Sequence, residues 1–168
     1  DERCVDPKSE LSNSLMLKNS LLTKYGSKAF FYEIFSDQKV DDNISKNLLI
    51  SKLNEKCNGK PPSFDLTLLG LGDDGHTASL FPYQKDNNSD DLVIFNEGKG
   101  LKRISLTPKV LSASSKIIFL VSGASKQLAL KRLLDKDESQ ERTPSKLIKS
   151  SNQISIFCDE ESSKELSI

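Results

Sequence analysis

The chain of 168 residues has no tryptophan, a single histidine, three cysteines and no excess charge of either sign. Each scarcity narrows the function classes open to it. Lys plus Arg and Asp plus Glu both total 24, so no general field draws the chain to nucleic acid or to an anionic membrane. An anionic ligand must instead be held by a few placed cations. The longest uninterrupted apolar run, Ile117 to Val121, is far too short to span a bilayer. The charged opening Asp1-Glu2-Arg3 predicts no secretory signal in this chain. Cys4, Cys57 and Cys158 are odd in number, widely separated and in no metal-ligand spacing. They suit a reducing, cytoplasmic compartment and predict small packed hydrophobes. An activated thiol at Cys4, beside Arg3, is the alternative reading.

With 36% hydrophobic and 29% charged residues, the chain fits one domain, residues 1–168, large enough to bury a core. Ser12-Asn13 predicts the cap of a helix carrying Leu15, Leu17, Leu21 and Leu22, with Gly26 as its stop. Ala29 to Phe35 is aromatic and reads as a short strand. Asp41-Asp42 opens a second helix with Ile44, Leu48, Leu49 and Leu53 at helical spacing, closed by Asn58-Gly59. Pro61-Pro62 then forces an extended entry to a strand at Phe64 to Leu69.

Beyond Pro82 the composition shifts. Residues 83–100 are rich in Asp, Asn and Lys and read as a surface loop or insertion. Arg103 to Leu106 predicts a strand, Thr107-Pro108 a short helix, and Lys116 to Val121 the clearest buried strand. Ser122 to Lys126 leads into a helix through Leu128, Leu130, Leu133 and Leu134. Lys136 to Arg142 is charged and mobile in character, Gln153 to Cys158 a last strand, and Asp159 the start of a final polar helix. Strands alternating with helices predict an α/β fold with a mostly parallel sheet and helices on its faces.

The lone histidine lies in Gly70-Leu71-Gly72-Asp73-Asp74-Gly75-His76-Thr77, between the Phe64 strand and an expected helix. Open α/β sheets bind ligands at the carboxyl edge of their strands, and imidazole is the side chain best suited to move protons near neutral pH. Three strand ends are expected to converge there: Asp1-Glu2-Arg3, Asp74-Gly75-His76 and Ser122 to Lys126. Together they offer cations, an imidazole, carboxylates and free backbone N–H groups, a set suited to a phosphorylated substrate and a proton-dependent reaction without a metal. Plainer roles stand beside each: a structural histidine in a turn, Asp74 as a helix cap, solvated Arg3 and Lys126. The string GLGDDG also matches the dinucleotide pattern GxGxxG. Against a dinucleotide site, Pro82 leaves room for only a short helix, and the Asp/Asn-rich stretch stands where the next strand should be.

The segment LLGLGDDGHTASLFP (68–82) resembles the signature of the 6-phosphogluconolactonases. DERCVDPKSELSNS (1–14) and ISLTPKVLSASSKIIFLVSGASKQLAL (104–130) resemble two further blocks of that family, in family order. The resemblance implies hydrolysis of 6-phosphoglucono-1,5-lactone on a Rossmann-like three-layer fold, an open and mostly parallel sheet shared with glucosamine-6-phosphate deaminase. It implies His76 as general base and Asp74 as the carboxylate that orients it. Substrate contacts are implied for Asp1, Arg3, Asn13, Gly75, Thr77 and Lys126, with no metal and no cofactor. As side chains, Thr77 and Ser79 read as turn and packing residues rather than nucleophiles. The resemblance departs at the start, because the family's N-terminal strands and glycine-rich phosphate loop have no counterpart in this chain. An N-terminally incomplete domain is therefore expected. Two other readings stay open: a sugar-phosphate-binding regulatory domain, and a deaminase-like isomerase. Against the latter, the deaminases carry an acidic residue where this chain has Phe81. The expected partner is a small phosphorylated sugar lactone, with no nucleic acid and no membrane. Fusion to, or association with, glucose-6-phosphate dehydrogenase is a further expectation.

Overall fold

A computed structural model describes residues 1–26, 28–35, 42–151 and 153–166. Their strands form two three-stranded sheets rather than one. The parallel sheet runs in the order β2 (Thr67–Gly70), β5 (Ile117–Val121), β6 (Ile154–Cys158). The antiparallel sheet runs β1 (Glu2–Arg3), β4 (Leu101–Leu106), β3 (Val93–Gly98). The α/β class stands. The expectation of a mostly parallel sheet holds for only one of the two.

Alternation along β2 and β5 turns Leu69, Ile117, Phe119 and Val121 to one face, where they pack with Ala129 and Leu130 of helix α5 (Gln127–Leu134). Fully burying an aliphatic or aromatic side chain contributes about 1.5–3 kcal/mol, so this cluster is the main apolar anchor of the carboxyl edge. The opposite face leaves Leu68, Leu120 and Phe157 exposed. Among the described residues, helices therefore cover one face of this sheet and not both. A second core joins Leu53 of helix α3 (Asp42–Lys56) to Val93 and Ile104 of the antiparallel sheet, with Leu106 packing against both cores.

The segment 83–100 is not all loop: a 3-10 helix forms at Lys85–Asn88, with Asn87 buried. Val93–Gly98 forms β3 and pairs with β4 across the two-residue turn Lys99-Gly100. Both turn residues have positive φ (+53° and +75°), the backbone of a hairpin whose twist matches its strands. Ala29 to Phe35 is not a strand. Among the described residues it finds no ladder partner, and Ile34 and Phe35 pack against the second core instead. The first helix starts where Ser12 caps it, its Oγ accepting from Leu15 N at 3.1 Å. It then proceeds as α1 (Asn13–Leu17), a π-helical stretch (Lys18–Leu22) and α2 (Thr23–Tyr25). The expected opening of α3 at Asp41 lies outside the described residues, whereas Asp42 begins it. Helix α4 (Pro108–Ser112) and helix α6 (Glu160–Ser163), the latter capped by Asp159, fall where the sequence predicts them. Among the described residues no helix is long and apolar enough to cross a membrane.

Candidate active site

The chain leaves β2 through a closed turn. Gly72 N–H donates to His76 O at 2.8 Å and Gly75 N–H to Gly72 O at 3.0 Å. Two glycines are required here for different reasons. Gly75 adopts φ +92°, a region closed to most L side chains. A Cβ on Gly72 would fall inside the His76 imidazole. The expected helix after His76 does not form. Gly75 and Ala78 (φ +48°) leave the right-handed region on either side of the histidine, and a bridge between Thr77 and Leu80 closes a second turn. A helix dipole is thus not what this turn offers to an anion.

The turn brings Asp74 and His76 together. Asp74 Oδ1 accepts the His76 backbone N–H at 3.0 Å and stands 2.5 Å from His76 Nδ1. Burial works to raise the Asp74 pKa, but the bonds from His76 outweigh it and hold the carboxyl below its usual range. An ionised Asp74 cannot donate, so Nδ1 carries the proton and Nε2 is left with its lone pair. Burial pushes the imidazole below its ordinary pKa against the pull of Asp74, and Lys99 and Arg103 add to the depression. His76 is therefore neutral near pH 7 and able to accept a proton. The Phe81 ring packs on it at 4.6 Å between centroids and carries the Arg103 guanidinium 5.3 Å from its own centroid.

His76 opens onto a cleft of about 590 Å³ that is also lined by Asp1, Arg3, Lys99, Arg103 and Lys126. The three expected strand ends do converge on it. Arg3 and Arg103 are directly paired across β1 and β4, and like charges so placed repel. Each has an Nε that is buried without a hydrogen-bond partner. Burial, and then the neighbouring Arg3, lower the pKa of Arg103. A paired, desolvated, under-satisfied set of guanidinium groups is what an oxyanion would relieve. Arg3 is steadied by one bond, Nη1 to Leu11 O at 2.7 Å. Its strand is pinned by the buried Glu2 carboxylate, which accepts from Arg3 N, Ser12 Oγ, Asn13 N and Ser14 N. Asp1 is occupied within the protein. Its Oδ2 accepts from Ser79 Oγ at 2.7 Å and lies 3.9 Å from Arg103 Nη1.

Asn13, Gly75 and Thr77 do not line the cleft. Asn13 Nδ2 donates to Asp1 O, Gly75 packs towards Thr143, and the buried Thr77 hydroxyl donates to Gly70 O at 2.7 Å. Two residues of the cleft, Arg103 and Lys99, lie outside the three converging segments. The alternation of Arg103 with Ile104 and Leu106 gave a detectable signal for the first, since it places a charge inside a strand next to buried positions. Lys99 reaches the cleft only because of the hairpin turn, and it pairs with Asp73 at 2.9 Å. Burial pushes the Cys4 thiol up to about 11, with Asp42 adding to it, which removes the activated-thiol alternative. Among the described residues no three of His, Cys, Asp and Glu gather as metal ligands would.

A carboxylate-oriented neutral imidazole beside a cationic cleft, at the carboxyl edge of a parallel sheet, defines an α/β protein equipped to act on anionic substrates. The family model described as glucosamine-6-phosphate isomerases/6-phosphogluconolactonase matches residues 1–156. The chain belongs to that family. It is similar to the 6-phosphogluconolactonase of Nostoc sp. strain PCC 7120, with 32% identity over all of this chain and 72% of that protein. It is also similar to the 6-phosphogluconolactonase of Borreliella burgdorferi, with 31% identity over 89% of this chain and 65% of that protein. Among solved structures, one titled as the devB protein matches with a TM-score of 0.82 and 26% identity over 99% of this chain and 71% of its own. The chain thus spans roughly two thirds to three quarters of these relatives' length.

Proposed function

We propose that the protein carrying this chain hydrolyses 6-phosphoglucono-1,5-lactone to 6-phosphogluconate in the cytoplasm. The observation that carries the proposal is the Asp74–His76 pair, 2.5 Å apart, facing a cleft lined by Arg3, Arg103 and Lys126. Those cations hold the phosphate of the substrate and face the oxyanion that develops at its carbonyl. His76 Nε2 takes a proton from water as the water oxygen adds to the lactone carbonyl. The carbonyl electrons move to oxygen, giving a tetrahedral oxyanion. Collapse of that intermediate breaks the bond to the ring oxygen, which receives the proton from the His76 imidazolium. Asp74 stays ionised throughout and stabilises the imidazolium, as carboxylates do in hydrolytic triads. A lactone is an activated ester, so the scheme calls on no cofactor.

The apolar Phe81 beside His76 supports hydrolysis over the isomerase chemistry also found in the family, because it supplies no second carboxyl for proton shuttling. The proposal extends to a fusion or complex with glucose-6-phosphate dehydrogenase, whose product is this lactone; co-purification from the source cells tests that part. The main proposal is tested by supplying the whole protein with each family substrate and subtracting spontaneous hydrolysis. Enzymatic turnover of the lactone and none of glucosamine 6-phosphate is expected. Turnover of the amino sugar alone, or binding of sugar phosphate with no turnover of either, would overturn it.

A further inference from the structure

The turn that carries His76 is gripped from outside by residues 138–145, which overlap the stretch Lys136 to Arg142 whose charge predicts mobility, yet Glu138 and Arg142 are tied down. Glu138 is a buried carboxylate, its side chain only 3% exposed. It receives the Arg142 guanidinium on both oxygens, with Arg142 Nε donating to Oε1 at 2.7 Å and Nη2 donating to Oε2. Its Oε1 also accepts the hydroxyl of the fully buried Thr143 at 3.1 Å, and Thr143 N–H donates to Ser139 O at 2.9 Å. From this clamp two contacts reach the catalytic turn. Ser145 N–H donates to Gly75 O at 3.1 Å. Thr143 Cγ2 stands 3.0 Å from where a Cβ on Gly75 would be. Gly75 lies between Asp74 and His76, so its peptide planes set the direction of both side chains.

Stability alone gives a poor reason for this arrangement. Half of the Arg142 side chain is exposed, so water screens the pair and its contribution to stability is small. What a bidentate carboxylate–guanidinium pair supplies and an apolar contact does not is a fixed direction. We infer that Glu138 is a positioning residue: held by Arg142, it sets Thr143 against Gly75 and thereby fixes the Asp74–His76 pair in its productive geometry. The inference rests on the lactonase reading for its kinetic consequence, but its geometric consequence is independent of that reading. The substrate-holding cations belong to other elements, Arg3 to β1, Arg103 to β4 and Lys126 to the turn after β5. Loosening the clamp should therefore affect turnover and leave binding intact.

The test compares the wild-type protein with Glu138→Gln and Thr143→Ser, the second of which removes only the methyl group that faces Gly75. Lactone kinetics, Tm and the imidazole ¹⁵N shifts of His76 are measured on each. The shifts report the tautomer and are assigned to His76 by their loss in His76→Ala. In Glu138→Gln, kcat is expected to fall about tenfold, with KM within about twofold. The ¹⁵N shifts should move from a single Nδ1–H form towards a tautomer mixture. Thr143→Ser should show the same pattern more weakly and decides the matter if Glu138→Gln does not fold. A lower Tm with unchanged kcat per folded molecule and unchanged ¹⁵N shifts would overturn the inference and leave Glu138 a purely structural residue. If the wild-type protein proves not to turn over the lactone, the proposed activity fails while the ¹⁵N shifts still accept or reject the positioning role.

Discussion

The two sheets meet at one cleft and bring different chemistry to it. The parallel sheet ends in a glycine turn that presents an uncharged, carboxylate-oriented imidazole. The antiparallel sheet presents paired, mutually repelling arginines from β1 and β4, Arg103 buried and Arg3 half-buried, each with a buried Nε that lacks a partner. In the proposed reaction the first side moves a proton and the second, joined by Lys126 from the turn after β5, holds the anion. Their separation on different elements teaches that turnover and binding should be damaged independently, because neither core has to shift when a side chain of the other sheet is changed. Phe81 is the physical divider: its ring contacts His76 and Arg103 alike and stands between the base and that guanidinium.

That division can be broken or sharpened by substitution. The largest effect is expected for His76→Ala, a loss of at least about a hundredfold in kcat with KM little changed, read in steady-state lactone kinetics. Gly72→Ala should approach it. The added methyl takes the place of the imidazole and displaces it by about an ångström, enough to cost up to about a hundredfold in kcat, while circular dichroism reports the fold retained. On the opposite side, Arg103→Lys keeps the charge but loses the guanidinium fork, and KM should rise about tenfold with a smaller change in kcat. The same variant should shrink the rise in Tm that inorganic phosphate gives the unaltered protein, since an anion relieves the repulsion between Arg3 and Arg103. The smallest effect joins the two sides. Lys99 depresses the His76 pKa, so Lys99→Ala should move the acid limb of kcat/KM upward, towards the ordinary histidine value.

The division also marks what the sequence makes legible. The parallel half follows from patterning: the Ile117 to Val121 run, the leucines of α5 and the glycine turn each carry a local signal, and Asp74 and His76 are only two residues apart. The antiparallel half depends on long-range pairing. Arg3 and Arg103 meet only when β1 docks on β4, and nothing local announces a contact across a hundred positions of sequence. Val93 to Phe95 is hidden by the Asp/Asn-rich composition around it, although Gly98-Lys99-Gly100 after an apolar run is a usable hairpin signal. The helix expected after His76 fails for a local reason, the positive φ at Gly75 and Ala78, which no hydrophobic period reveals. The stretch Lys136 to Arg142 reads as mobile because composition does not show that the Glu138 carboxylate is buried and holds Arg142 and Thr143.

The central claim is that a neutral His76 acts as the base, and one paired measurement tests it most directly. The imidazole titration of His76, followed by ¹⁵N shifts, is set beside the acid limb of kcat/KM for lactone hydrolysis. Burial lowers the His76 pKa, so protonation, and with it the loss of activity, should come below the ordinary histidine value of about 6.5. The account predicts that the two midpoints coincide there. An acid limb that ignores the His76 titration, or a histidine that titrates above its ordinary value while activity persists, would contradict it.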